Sequence, residues 1–294
     1  MTVQYHVLNP CHAIDSPSYA GLYCTQMPEL PEVETIVREL RQQVMGKTIA
    51  RVRLHWERSV QGQVVEFKRR LARKTISAIS RRGKFIGFEL QDDTFFTIHL
   101  RMTGKLVQKI DAAGKKYVRV EFQFQDGSAL YFVDARKFGR LRLWPCQSQS
   151  CPGLGPEPLH TATVLKALQQ LKTTRPIKTV LLDQTILAGI GNIYADEALA
   201  MAGIHPLTPA VRLTAEQRLK LSRDIPLVLK NAIGRRGTTL RDYRTVADRS
   251  GENQEYLQVY GRTHQPCFSC GAPIEKIRIA GRSSHFCPCC QKEA

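Results

Sequence analysis

The tightest constraint on this chain lies near its end. Cys267-x2-Cys270 is followed, across residues 271–286, by Cys287-x2-Cys290. Two such knuckles joined by a hairpin-length insert bring four thiolates within tetrahedral reach of one ion. A closed set of four cysteines at about 2.3 Å is how proteins hold a structural Zn2+. Residues 254–294 are therefore expected to fold as a zinc ribbon around one Zn2+, because so short a segment has little apolar core of its own. The clustering of these cysteines, with the rest scattered, argues for metal in a reducing compartment rather than a disulfide scaffold. Cys289, beside Cys290, reads as a non-ligand. The insert carries Lys276, Arg278 and Arg282, a face that is either solvated or pressed against phosphate.

Charge narrows the function. In 294 residues, 43 Lys and Arg oppose 26 Asp and Glu, for a net charge of +17. Such a balance points to a polyanion, with nucleic acid first; no cationic amphipathic tail favours a membrane surface. No run of 18 apolar residues suggests a membrane span. Residues 1–26 hold no Lys or Arg, one acid (Asp15) and no periodicity, so they fail as a secretory signal and lack the arginines of a transit peptide. They read as a disordered or non-native extension.

After them comes Met27-Pro28-Glu29-Leu30-Pro31-Glu32-Val33-Glu34-Thr35. Pro31 suits a first helical position, and Glu32 and Glu34 suit the positive end of the helix dipole. Val33, Ile36, Val37, Leu40 and Val44 recur at helical spacing, and Gly46 suits the closing cap. Pro28 would lie just outside this helix. Two readings fit: a Pro- and Glu-rich helix cap, or, were Met27 removed, a secondary amine able to attack a sugar carbon as lysine does in a Schiff base.

The period then changes to that of strands. Residues 74–86 read as strand, tight turn at Gly83, strand; 94–100 read as a buried strand. Residues 118–124 alternate apolar and polar, a half-buried strand, and Asp126-Gly127 turns the chain into 129–133. Residues 27–150 thus form a β-sandwich with the first helix packed on it. Residues 151–160 have linker composition, and 161–253 are helical to about Gly234, with a Thr214–Gln217 capping box and a kink at Pro226. From Arg235 to Asn253 the chain is basic and weakly patterned, a mobile loop. His99, on a buried strand, reads as a core histidine. The fold class is α+β.

Six motifs occur in order: Pro-Glu-Leu-Pro-Glu-Val-Glu-Thr, Arg-Arg-Gly-Lys-Phe, His-Leu-Arg-Met-Thr-Gly, Asp-Ala-Arg-Lys-Phe-Gly, Gly-Ile-Gly-Asn-Ile-Tyr-Ala and the four-cysteine ribbon. Together they resemble the bacterial formamidopyrimidine-DNA glycosylases across residues 27–292. The resemblance implies an N-terminal β-sandwich, a helix-two-turn-helix domain and a zinc ribbon. It also implies base-excision repair: a hydrolase of N-glycosyl bonds that removes 8-oxoguanine and formamidopyrimidines from double-stranded DNA, and a lyase at apurinic or apyrimidinic sites. Pro28 then matches the nucleophile, Glu29 its acid/base partner, Glu32 a further carboxylate of the same element, and Lys84 a contact to the lesion phosphate. Arg282 matches the ribbon arginine that grips phosphates. Met102, Arg136 and Phe138 match the set that fills the void left by the extruded base. Asn192, with the Gly189 and Gly191 amides, matches a phosphate contact, and Arg241 lies in the loop that covers the base. A monomer in the bacterial cytoplasm, associated with the nucleoid and needing no membrane, is expected.

Three departures stand out. Ala135 occupies a position where proline is common, and Arg241 one where some members have lysine. The 26-residue extension would leave Pro28 acylated, without the lone pair a nucleophile needs; the active species is therefore expected to start at Pro28. Two alternatives stay open: a related glycosylase of oxidised pyrimidines, and, should residues 1–26 persist, a non-catalytic binder of damaged DNA.

Overall fold

The structure, a computed structural model, describes residues 27–292. The readings made for residues 1–26 fall outside them. The first helix, α1 (Leu30–Val44), starts one residue earlier than expected, so Pro31 is its second residue and Glu29 its N-cap. The Glu29 N–H donates to Glu32 Oε2 at 2.9 Å, which satisfies a terminal donor that the helix cannot. Met45 is the C-cap, and Gly46 follows at φ +80°, where a side chain would be strained.

Among the described residues, nine strands of this half join in one hydrogen-bonded order. They are β1 (Thr48–Leu54), β2 (Val60–Gln61), β3 (Lys74–Arg82), β4 (Phe85–Leu90), β5 (Phe95–His99), β6 (Gly104–Val107), β7 (Val118–Phe124), β8 (Ala129–Asp134) and β9 (Arg140–Trp144); α2 (Val64–Leu71) intervenes after β2. The order is β2-β9-β5-β4-β3-β1-β7-β8-β6. The β1–β3 pairing is only two residue pairs long, Thr48 with Thr75 and Ile49 with Lys74, so the ladder folds over there. Its two wings face each other: Phe96 of β5 stacks on Phe88 at 4.8 Å and meets Phe122 of β7 at 5.9 Å. Val33, Ile36, Val37, Leu40 and Val44 of α1 are buried in the same core.

One strand departs from expectation. Both faces of β7 are buried, including Arg119 and Glu121. Arg119 is tolerated there because its guanidinium donates to the carbonyls of Asp134 (2.7 Å) and Lys116 (3.2 Å).

Helices form the second half: α3 (Thr161–Gln169), α4 (Ile177–Leu181), α5 (Asn192–Ala202) and α6 (Ala215–Gly234). Thr214 caps α6 with the reciprocal Gln217 bonds, and the helix continues through Pro226. Between the halves, Glu157 accepts from Gly83 N–H (2.6 Å), Arg81 (2.6 Å) and Arg82 (3.1 Å), so the connecting segment is fastened to the β half. Residues 235–252 hold neither helix nor strand, yet they are packed: Tyr243 and Val246 join the β core, and Thr238 and Thr245 are buried. Leu240 and Arg241 are exposed at the tip. The chain ends in a hairpin, β10 (Glu275–Ile279) and β11 (Arg282–Phe286).

Candidate active site

Where the halves meet, a cavity of about 430 Å3 opens, lined among others by Met27, Glu29, Lys84, Met102, Asn192 and Arg282. These residues come from the start of α1, the β3–β4 turn, the β5–β6 turn, the start of α5 and the start of β11. Pro28, between two lining residues, is buried.

Glu29 is placed by α5. Its carboxylate accepts from the N–H groups of Gly191 (2.8 Å), Ile193 (3.0 Å) and Tyr194 (3.4 Å), the unpaired donors of a helix start. An internal carboxylate thus takes the anion site at this helix end. The Gly189 N–H is engaged too, donating to Gln184 Oε1 at 2.8 Å. The glycine amides expected to bind phosphate are therefore already satisfied. Gly191 must be glycine, since a Cβ would sit 2.3 Å from the Glu29 carboxyl carbon.

Burial raises the Glu29 carboxyl above the usual carboxylate range, against the pull of Lys84 and the N–H donors. Burial likewise lowers the Lys84 ammonium, opposed chiefly by Glu29. The two line the same cavity and act on each other's charge. Glu32 lies behind this lining rather than in it. Its Oε1 accepts from Tyr194 Oη (2.5 Å) and Thr238 N (2.8 Å), so it ties α1 to α5 and to the base of the 235–252 segment. Burial first, and then Glu29, raise its carboxyl to about 7.

Met102 is half-buried at the rim, while Arg136 and Phe138 project from the β8–β9 turn outside the cavity. The Arg136 guanidinium lies 5.0 Å over the Phe138 ring, and Phe138 is 44% exposed. Asp134 joins the two turns: its carboxylate accepts from Thr103 Oγ1 (2.5 Å), Arg136 N (3.1 Å) and Gly139 N (2.7 Å). That clamp holds the turn in which Ala135 replaces the common proline.

Asn192 points its Nδ2 at the Ser283 carbonyl (2.9 Å), docking the ribbon on α5. Asp196, one helical turn on, is fully buried and accepts from Lys178, Ser284 Oγ (2.6 Å) and His285 N (3.0 Å). Glu197 beside it accepts from the N–H groups of residues 258, 259 and 260 at 2.7–3.0 Å. This network, which sets where Arg282 stands, was not foreseen from sequence. Neither were Tyr194 and Gln184; a polar run in the first turns of α5 is the one signal for Tyr194, and Gln184, in the segment between α4 and α5, leaves none. His99 is buried, as expected, accepting Arg101 N–H at Nδ1 (3.0 Å), but it also lines the cavity.

The four ribbon thiols lie within 4.8 Å of one another. Tetrahedral Zn–S bonds of about 2.3 Å put sulfurs about 3.8 Å apart, and Cys267–Cys290 is 4.0 Å and Cys270–Cys287 3.4 Å. The donor set fits one structural Zn2+, with Cys289 outside it.

Comparison with known proteins agrees with this assembly. Residues 27–141 match the formamidopyrimidine-DNA glycosylase N-terminal domain, 154–244 the formamidopyrimidine-DNA glycosylase H2TH domain, and 265–292 the zinc finger found in FPG and IleRS. The chain belongs to the formamidopyrimidine-DNA glycosylase family. The formamidopyrimidine-DNA glycosylase of Herpetosiphon aurantiacus is 44% identical over 273 residues, covering 90% of this chain and all of that one. That of Bacillus licheniformis is 44% identical over 276 residues, covering 91% and 100%. A Lactococcus lactis Fpg bound to abasic-site DNA superposes with a TM-score of 0.82 at 38% identity, covering 90% of this chain and 100% of that one. The wild-type Lactococcus lactis protein is also known with an oxidized pyrimidine containing DNA, with TM-score, identity and coverage the same.

Proposed function

We propose that this chain excises oxidised purines from duplex DNA and then cleaves the strand. The observation that supports this is that Glu29 and Lys84 line one cavity with Met27, the two chain neighbours of Pro28 among them. Pro28 attacks C1′ of an extruded nucleotide as a free secondary amine, which requires the Met27–Pro28 bond to have been cut. The C1′–base bond breaks and the base leaves with its electron pair; the Pro28 N–H proton is lost, and Glu29 protonates the deoxyribose ring oxygen as the C1′–O4′ bond opens. The resulting iminium acidifies C2′–H; loss of that proton expels the 3′ phosphate, and a second elimination expels the 5′ phosphate. Lys84 and Arg282 hold the phosphates, Asn192 contributes from the same cavity, and Met102, Arg136 and Phe138 occupy the vacated stack, an opening that otherwise costs a few kcal/mol. Arg241, at the tip of 235–252, closes over the base, and Glu32 anchors that segment. The protein acts as a monomer in the bacterial cytoplasm, at the nucleoid, a reading its net charge and bacterial relatives support.

A second reading has one specific support: the Lactococcus lactis relative is known with an oxidized pyrimidine containing DNA, so oxidised pyrimidines belong among the substrates to test. Borohydride trapping decides both. Protein whose first residue is Pro28 should form a covalent adduct with 8-oxoguanine duplex; thymine-glycol duplex tests the second reading. Intact chain, its N-terminus confirmed by mass, should bind without an adduct. If that intact chain traps as well as the shortened form, Pro28 is not the nucleophile and Lys84 is next.

A further inference from the structure

A second cavity, of about 240 Å3, opens against the outer face of β5 and β9. Strand register builds its floor. His99 lies opposite Arg140 and Thr97 opposite Arg142, and directly opposed residues of a ladder point to the same face. Trp144 continues that face and donates Nε1–H to Thr97 Oγ1 at 2.9 Å. Arg101 enters from the β5–β6 turn, so three guanidiniums converge. No acid is among its described lining residues, and neither Arg101 nor Arg142 forms an ion pair among the described residues.

Two of the three are held in place. The Arg142 guanidinium lies 4.0 Å over the Trp144 ring, which leaves its N–H edge available for paired donation. Arg140 is braced through Nη1 on the carbonyls of Lys137 and Gly139, each at 2.8 Å. A solvated basic face has no need of stacked and braced guanidiniums; a planar fork fixed beside a cavity suits an anion with several oxygens.

The cavity adjoins the active-site cavity: Phe85, His99, Arg101 and Leu154 line both. We infer that the Arg101–Arg140–Arg142 cavity is a phosphate subsite for the damaged strand immediately beside the extruded nucleotide. The inference rests on the proposed glycosylase function. The phosphate has two possible sources, the unbroken backbone next to the lesion or the phosphate-ended strand left after elimination. The unbroken backbone is favoured because the two cavities share four lining residues, which puts the second within reach of a strand whose nucleotide occupies the first.

Full-length protein and its Arg142→Ala and Arg140→Ala variants would be titrated with a duplex carrying a tetrahydrofuran abasic analogue, and with the same duplex gapped at the lesion and ended in phosphate. Arg282→Ala and an undamaged duplex serve as references. Loss of one charged contact should weaken binding about tenfold and reduce the log–log salt slope by about 0.9. That loss on the continuous duplex supports the backbone as source; loss only on the gapped, phosphate-ended duplex keeps the subsite and assigns it to the product. Unchanged affinity and slope on both, with Arg282→Ala weakened, would overturn the subsite while leaving the function standing. Equal affinity of the unaltered protein for damaged and undamaged duplex would instead count against the function.

Discussion

The β-rich half and the seam between the halves are built on opposite principles. In the β half, Phe88, Phe96, Phe122 and Phe132 lie in an apolar core with ladder bonds around it. The seam is a set of buried charges, Glu29, Glu32, Lys84, Lys178, Asp196 and Glu197, each facing donors or an opposite charge. α1 belongs to both: Leu30 packs in the helical core, and Val33 onward packs in the β core. Apolar burial makes each half cohere; polar burial sets their mutual position and shifts Glu29, Glu32 and Lys84.

The largest test of this contrast removes the ribbon's metal. Structural zinc contributes about 10–16 kcal/mol of apparent binding energy that is also folding energy. Cys270→Ser, or chelation, should unfold the ribbon, release Asp196 and Asn192 from β11 and abolish DNA binding. The β half should still unfold cooperatively by circular dichroism. Stoichiometric zinc retained after replacement of all four cysteines would refute the site.

Next is chemistry without change of packing. Glu29→Gln preserves shape but not the acid, so single-turnover base release should drop about 10²–10⁴-fold while lesion binding persists. A rate within a few-fold of the unaltered protein would move the role to Glu32.

The same contrast explains how far the sequence could be read. Turn signals and apolar runs exposed β4, β5 and β8, and 3.6-residue spacing exposed α1, because one-sided helix burial leaves a period. Alternation misjudged β7, since Arg119 is polar yet enclosed by the β8–β9 turn and the chain before β7, and Glu121 is polar yet buried beside Arg53, His55 and Gln123. It missed the seam for the same reason: a buried carboxylate such as Asp196 or Glu197 looks in sequence like any exposed one, and apart from Lys178 the partners of these two lie 60 or more residues away. Motif order, by contrast, revealed Glu29, Lys84, Asn192 and Arg282 as a set before geometry placed them on one cavity. The 235–252 segment has no period because its buried residues follow contacts, not a helix or strand.

In the β half, Phe96→Ala should cost about 3–5 kcal/mol. The ring touches Phe67, Phe88 and Phe122 and so bridges both wings. Denaturant midpoints measure it; base release per folded molecule should be unaltered. A loss below about 1 kcal/mol would mean that the wings are not held together by this contact.

The smallest effect is the most specific to the seam. Glu32 titrates at about 7 in the folded chain, raised by burial and then by Glu29, against about 4.5 when unfolded. Between those values the folded chain binds more protons than the unfolded one, so stability falls as pH rises through that window and the full penalty applies above it. At about 1.4 kcal/mol per unit, the change between pH 5 and 8 is on the order of 2–3 kcal/mol. Glu32→Gln should remove this slope. Its amide oxygen can still accept from Tyr194 and Thr238, but its NH2 would meet the Glu29 N–H, donor against donor, a cost that does not vary with pH. The readout is therefore the difference in unfolding free energy between the two proteins from pH 5 to 8, which should move in favour of the variant as pH rises. Glu29, Lys84, Tyr194 and Tyr243 face the same site and remain in both proteins, so their own titration largely cancels. Parallel profiles would show that Glu32 is ionised throughout, and that Tyr194, Thr238 and Glu29 together outweigh its burial.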